Sequence, residues 1–116
     1  FACDEIAEVL DKTGLSKQQK DEILKIESEL SIIARQGRAF GIHLVLATQR
    51  PDAAILNGQI RNNIDTRICG RADNVLSQII LDNTDASDKI AKSSQGRFLT
   101  NSGKIFQAYW FDENIL

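Results

Sequence analysis

The apolar positions of residues 17–40 recur every three or four residues, with charged and polar residues between them. This spacing places the apolar residues on one face of an α-helix. Ser16 is a favourable N-cap for that helix, and Gly37 and Gly41 mark its end. The pattern therefore predicts a long amphipathic helix with a buried face formed by Ile23, Ile26, Leu30 and Ile33.

Residues 42–49, with the sequence IHLVLATQ, form a nearly continuous apolar run that is too short for a helix. Branched apolar runs of this length are typical of strands buried on both faces of a parallel sheet. The apolar start of the chain and residues 64–72 predict two further strands. Residues 96–111 predict a β-hairpin that turns at Gly103, a residue free to take a positive φ.

Shorter helices are expected between these strands, at residues 6–11, 53–63 and 72–81. Strands that alternate with helices are typical of an α/β fold with a mostly parallel sheet. The sequence therefore predicts an α/β fold of this kind, closed by a C-terminal β-hairpin.

The composition is that of an ordinary soluble globular protein, with 42% apolar and 26% charged residues among 116. The formal net charge of −2 means that any contact with DNA must come from a local basic patch. The sequence contains no run of about 18 apolar residues, so it predicts no membrane-spanning helix. Cys3 and Cys69 lie in separate apolar stretches without CxxC spacing, so we expect both to be small buried hydrophobic residues.

Polar side chains follow two of the predicted strands, as Asp4–Glu5 and as Thr48–Gln49. Sites in parallel sheets lie at the carboxyl ends of strands, so these four side chains share one edge if the two strands are neighbours. A magnesium–phosphate centre needs a carboxylate for the hydrated metal, an acid for the attacking water and a polar group near the γ-phosphate. Asp4, Glu5 and Gln49 suit these three roles in that order. An alternative is that the acids only favour a helix start through the macrodipole.

Three stretches of the chain resemble the motor domain of the FtsK/SpoIIIE family of DNA translocases. They are FACDEIAEVL, ELSIIARQGRAFGIHLVLATQRPDA and GQIRNNIDTRICGRADNVLSQIILD, which together reach from Phe1 to about Asp82. The most specific part runs from Gly37-Arg38-Ala39 through Gly41-Ile42-His43 to Ala47-Thr48-Gln49-Arg50-Pro51. Two stretches look most like the coupling or transfer ATPases of conjugative elements, namely the insert DKTGLSKQQKDEILKIES and the segment NNIDTRICGRADN.

The resemblance implies a RecA-like ATPase core that works as a ring, usually a hexamer, around double-stranded DNA. Residues 1–5 would be the Walker B strand, with Asp4 near Mg²⁺ and Glu5 as the catalytic acid. Residues 42–49 would be the neighbouring sensor strand, with Gln49 facing the ATP. Such motors use an arginine from the adjacent subunit, and the candidates are Arg50, Arg67 and Arg71. Possible contacts to DNA or to another subunit are Arg35, Arg38 and Arg61.

The sequence departs from the family at one important point, because it contains no GxxxxGK[ST] phosphate loop. The family places that loop and its strand upstream of Walker B. We therefore expect residues 1–116 to be a single partial domain, the Walker B and sensor half of the core. We expect no tightly bound ATP or Mg²⁺ and no hydrolysis by these residues alone. The absence of that strand would leave an unpaired apolar edge at residues 42–49, which predicts self-association or a rearrangement that closes the gap.

Several other residues carry weaker signals. His43 is expected to be a hydrogen-bonded core histidine, and Trp110 and Phe111 are expected to pack in a core or an interface. Asp82, Asp85 and Asp88 are expected in a solvated loop, because they lack the offsets of a calcium-binding loop.

The resemblance implies the cytoplasmic domain of a membrane-associated bacterial protein that couples ATP hydrolysis to DNA transport, in conjugation or segregation. One alternative is half of a helicase-type ATPase, although helicases usually carry Ser-Ala-Thr where this chain has Ala-Thr-Gln-Arg-Pro. The other alternative is a non-enzymatic α/β binding module.

Overall fold

The computed structural model describes residues 1–49, 52 and 56–115. The chain divides into two compact units, Phe1–Asp65 and Thr66–Leu116. The first unit contains, in chain order, β1 (Ala2–Cys3), α1 (Ile6–Leu10), α2 (Lys17–Gln36), a 3₁₀ turn (Gly37–Phe40), β2 (Val45–Leu46) and α3 (Gly58–Asn62). The second contains β3 (Ile68–Cys69), α4 (Asn74–Leu81), α5 (Asp85–Lys89), β4 (Arg97–Thr100), β5 (Ile105–Gln107) and a 3₁₀ turn (Glu113–Ile115).

The first unit is built on a parallel strand pair. β1 pairs with β2, with Ala2 opposite Val45 and Cys3 opposite Leu46. Helices α1, α2 and α3 enclose a core on one side of the unit, which is formed by Ile6, Leu10, Leu30, Leu56 and Ile60. Leu44 and Leu46 pack against that core, so β2 joins the sheet to the helices.

Helix α2 begins and ends close to the predicted positions. Ser16 forms a capping box, in which its side chain accepts from the backbone of Gln19 and its own backbone N–H donates to the Gln19 side chain. Gly41 ends the segment in the left-handed conformation, with φ of 71°.

The buried face of α2 differs from the predicted one. Ile26 is 37% exposed, whereas Glu27 is only 6% exposed and lies on the buried side with Leu30. The carboxylate of Glu27 is paired with the ammonium group of Lys12, which comes from the loop between α1 and α2. The spacing of hydrophobic residues could not predict this, because a carboxylate can be buried when it is paired with a cation.

Strand β2 is also less buried than predicted. Leu44 and Leu46 are half-buried, but Val45 is 62% exposed and Ala47 is exposed. The prediction that residues 42–49 are buried on both faces is therefore wrong for the structure described. A strand points alternate side chains to opposite faces of its sheet. Here only the face toward the helices is covered, so Leu44 and Leu46 are half-buried and Val45 is exposed.

The second unit is an antiparallel three-stranded sheet in the order β3-β4-β5. Ile68 lies opposite Thr100, and Phe98 lies opposite Phe106. The third predicted strand therefore pairs with the hairpin and not with a parallel neighbour. The hairpin itself is confirmed, and Gly103 takes a φ of 89° at its turn. The core of this unit is formed by Cys69, Leu81, Ala86, Ile90 and Leu99.

The predicted fold class is confirmed, since helices and strands are mixed and a parallel pair is accompanied by an antiparallel hairpin sheet. No helix in the described part of the chain combines the length and the hydropathy needed to cross a membrane.

Candidate functional site

The parallel pairing of β1 and β2 continues beyond the two strands toward their carboxyl ends. The backbone N–H of Ala47 donates to the carbonyl of Cys3 at 2.9 Å, and the N–H of Ile6 donates to the carbonyl of Ala47 at 3.0 Å. These bonds pair Cys3 with Ala47, the residues that come directly before Asp4–Glu5 and Thr48–Gln49. The prediction that the two strands are neighbours with tips pointing the same way is confirmed.

The carboxylate of Glu5 binds the tip of β2 through both of its oxygens. Its Oε1 accepts a hydrogen bond from the hydroxyl of Thr48. Its Oε2 accepts from the backbone N–H of Gln49 at 2.9 Å. Glu5 occupies the N-cap position of α1, yet its side chain makes no capping hydrogen bond there. The side chain of Glu5 therefore turns to the neighbouring strand and not to its own helix.

Asp4 and Gln49 lie at the same two strand ends, and both residues are exposed. The structure thus brings Glu5, Thr48 and Gln49 into contact, with Asp4 adjacent in the chain. No group of three or more His, Cys, Asp or Glu side chains in the described ranges could hold a metal ion. Asp4, the exposed carboxylate that follows β1, is the residue there whose oxygens could hold Mg²⁺.

Two of the three arginines that could act from an adjacent subunit lie in the second unit, and their side chains differ in exposure. Arg67 is largely buried, with a side chain 19% exposed, and its Nη2 lies 2.9 Å from Oδ2 of Asp82. Its backbone N–H donates to the side chain of Asn101 at 3.0 Å, and its carbonyl accepts from the Asn101 N–H. Arg71 is exposed. Arg50 lies outside the described residues.

The candidate arginines from the first unit occupy two places. Arg35 and Arg38 line an open surface depression of about 680 Å³ together with Gln36, Ala39 and Phe40. Arg38 is 88% exposed, and its Nη1 lies 3.5 Å from Oδ2 of the exposed Asp65. Arg61 is half-buried, and its Nε donates to the carbonyl of Leu56 at 3.1 Å.

The expectation for His43 is corrected, because His43 is exposed and is not a core residue. Its carbonyl accepts a hydrogen bond from the backbone nitrogen of Phe1 at 2.9 Å. An apolar neighbourhood in sequence does not show which side of a chain segment is covered. Trp110 and Phe111 are 85% and 65% exposed, so neither packs in the core of the described residues, and their packing in an interface stays a prediction.

The acidic residues at positions 82–88 lie at the end of α4 and within α5, and not in a loop as expected. Asp82 ends α4 in the left-handed conformation, with φ of 60°, and pairs with Arg67. Asp85 lies 3.1 Å from Lys89, and Asp88 accepts from the hydroxyl of Thr84 at 2.7 Å.

The two cysteines are free. Cys69 is buried, and this burial raises the pKa of its thiol. Cys3 is half-buried and packs against the core of the first unit.

The sequence reasoning placed Thr48 at the sheet edge without giving it a role. Its contact with Glu5 joins residues 43 positions apart. The available signal was its position, because a hydroxyl residue stands beside the polar residue that ends β2.

Comparison with known proteins identifies clear relatives, although no family model matches the chain. The DNA translocase FtsK of Haemophilus influenzae is 32% identical over 79% of this chain. The DNA translocase FtsK of Tropheryma whipplei is 36% identical over 77% of it. The chain spans only 18% and 12% of the lengths of these two proteins.

A solved structure resembles nearly the whole chain. It is the monomer form of the pCW3 conjugation coupling protein TcpA with ATPγS, which matches with a TM-score of 0.87 and 42% sequence identity. The match covers 98% of this chain and 33% of that one. The partial RecA-like fold and the similarity to a conjugation coupling protein are thereby confirmed. By sequence and by fold, the chain is similar to DNA translocases of the FtsK/SpoIIIE type.

Proposed function

We propose that this chain carries the catalytic-acid and sensor half of an ATP-driven motor that moves double-stranded DNA. The observation that carries the proposal is the contact of Glu5 with the tip of β2, because it joins the candidate base to the candidate sensor strand. The FtsK relatives and the coupling protein, which are named for DNA translocation and conjugation, support the choice of a DNA motor.

Each residue at the strand tips has a distinct role in this proposal. Asp4 would hold Mg²⁺, which would supply positive charge to neutralise the phosphates. Gln49 contacts the γ-phosphate. Glu5 orients the attacking water and accepts its proton as the water oxygen bonds to the γ-phosphorus. The bond between that phosphorus and the bridging oxygen breaks, and ADP leaves.

An arginine from a neighbouring subunit completes such a site by neutralising the developing charge. Arg67 is poorly suited to this role, because its guanidinium is largely buried and paired with Asp82. Arg71 is exposed, as a residue in this role must be. Arg50 retains its place among the candidates from the sequence alone.

The assembly that we propose is a ring, usually a hexamer, around DNA. Arg35, Arg38 and Arg61 would provide contacts to phosphates or to a neighbouring subunit, consistent with the exposed guanidinium of Arg38. Among the described residues β2 pairs only with β1, which supports self-association through the other edge of this strand. The complete protein would act at the bacterial cytoplasmic membrane, in conjugation or segregation.

Residues 1–116 form one partial domain in this proposal and do not hydrolyse ATP by themselves, because the sequence has no phosphate loop. The decisive experiment therefore measures ATPase activity of a longer form of the protein that includes the upstream sequence, with and without double-stranded DNA. We expect DNA to stimulate turnover, and Glu5→Gln to lower kcat by at least about 100-fold because the proton acceptor is lost.

Asp82→Asn is the matched control, since it also converts a hydrogen-bonded carboxylate to an amide but lies in the second unit. We expect its kcat to stay within about threefold of the wild type. Equal activity of the wild type and Glu5→Gln, or no nucleotide binding by the longer protein, would contradict the proposal.

A further inference from the structure

We infer that Thr48 is a positioning residue for Glu5, an inference that rests on the proposed function. The hydroxyl of Thr48 donates to Oε1 of Glu5 while the next residue in the chain donates its backbone N–H to Oε2. Two donors on consecutive residues thus hold the two oxygens of one carboxylate. A carboxylate bound in this way has both the direction and the plane of its oxygens set by β2.

The donors are themselves held firmly by the sheet. Ala47, the residue just before Thr48, uses its N–H on Cys3 and its carbonyl on Ile6. These two bonds lie on either side of Glu5 in the chain, so the backbone around both partners is clamped. In addition, Thr48 is half-buried, and its branched Cβ restricts the rotation of the hydroxyl about χ1.

The hydrogen bond from the hydroxyl of Thr48 is of a kind that can hold the carboxylate of Glu5 in position. Hydrogen bonds to an ionised carboxylate are shorter and stronger than those between neutral groups. A general base must lie within hydrogen-bond reach of the proton that it accepts, and small displacements lower the rate strongly. Thr48 does not touch the water or the phosphates in this inference, and it acts only through Glu5.

The same geometry couples the base to the sensor strand. The N–H that binds Oε2 belongs to Gln49, the residue proposed to contact the γ-phosphate. A movement of that peptide on nucleotide binding would displace the carboxylate of Glu5 with it. Thr48 provides the second attachment, so the carboxylate follows the peptide as a unit and does not pivot about one oxygen.

The test compares Thr48→Val with Thr48→Ser in the longer ATPase-competent protein, using kcat and KM for ATP with double-stranded DNA present. Valine keeps the shape of threonine but has no hydroxyl, whereas serine keeps the hydroxyl. We expect Thr48→Val to lower kcat by about 10- to 100-fold, because the base loses its alignment. KM should change by less than about threefold, since ground-state binding of ATP does not use Thr48. Thr48→Ser should restore most of the lost kcat.

Thr84→Val is the matched control, because it removes a hydroxyl of the second unit that donates to the carboxylate of Asp88 at 2.7 Å. We expect it to leave kcat unchanged. Wild-type kcat in Thr48→Val would overturn the inference, as would an equal loss in Thr48→Ser and Thr48→Val, because the hydroxyl that serine retains would then restore nothing.

The two proposals fail in distinguishable ways. An active Glu5→Gln variant contradicts the proposed function itself, whereas a dead Glu5→Gln variant beside a fully active Thr48→Val variant contradicts only the role of Thr48. If Thr48→Val does not fold, amide hydrogen exchange in the 116-residue chain gives a second test. Glu5→Ala should accelerate exchange at the Gln49 amide, and an unchanged exchange rate would show that the contact is not formed in solution.

Discussion

Glu5 in the first unit and Asp82 in the second are both carboxylates that bind partners distant in the sequence, but their partners differ in kind. Glu5 accepts from a hydroxyl and a backbone amide at the end of a parallel strand pair. Asp82 is paired with the guanidinium of Arg67, whose backbone is tied to Asn101 beside an antiparallel hairpin. The first arrangement orients a carboxylate at an open sheet edge, whereas the second joins the end of a helix to a sheet.

The sheets of the two units explain this difference. Parallel strands place their carboxyl ends at one edge, so residues that follow β1 and β2 meet there. Antiparallel strands point in opposite directions, so the residues that follow β3 and β4 separate. A shared site of the first kind is therefore expected only in the unit with the parallel pair.

The largest expected effect is on the free energy of unfolding, and it differs between a buried residue of one sheet and an exposed residue of the other. Leu99 on β4 is 0% exposed, whereas Val45 on β2 is 62% exposed. We expect Leu99→Ala to lower the free energy of unfolding by about 2–5 kcal/mol, because it leaves a cavity. Val45→Ala should change it by less than about 0.5 kcal/mol.

Urea denaturation followed by circular dichroism measures both variants. A large loss of stability in Val45→Ala would show that this face of β2 is covered in solution.

A smaller effect is expected at the ion pair. Replacing Arg67 by methionine removes the partner of Asp82, and we expect a loss of about 1–2 kcal/mol because the guanidinium is largely buried while Asp82 is exposed. Part of the cost is offset, since the buried Nε of Arg67 has no hydrogen-bond partner among the described residues. Arg71→Met is the control at an exposed site and should have almost no effect. Equal thermal stability of the two variants would contradict a structural role for Arg67.

The smallest expected effect concerns the cysteines of β1 and β3. Burial raises the pKa of the Cys69 thiol, so less of the reactive thiolate is present at pH 8 than for an ordinary thiol. We expect iodoacetamide to alkylate Cys69 at least about tenfold more slowly than the half-buried Cys3. Peptide mass spectrometry after timed quenching measures the two rates. Denaturation should make them similar, and similar rates in the folded protein would be the contrary result.

The elements that were predicted well have a local cause. The span of α2 and its capping by Ser16 depend on residues within a few positions of each other, as does the hairpin turn at Gly103. The predictions that were wrong concern the burial of residues 42–49. The exposure of His43 and Val45 depends on which parts of the chain pack over this segment, and the sequence around them carries no such signal.

The candidate site divides in the same way. The sequence by itself determined which polar residues follow β1 and β2, and therefore that Asp4, Glu5, Thr48 and Gln49 share an edge if the strands are neighbours. Only the tertiary structure decided that Glu5 turns away from its helix to the hydroxyl of Thr48 and the amide of Gln49. The physical reason is that strand polarity and order place backbones within reach, while the choice among nearby hydrogen-bond donors depends on distances of a few ångströms that only the folded chain sets.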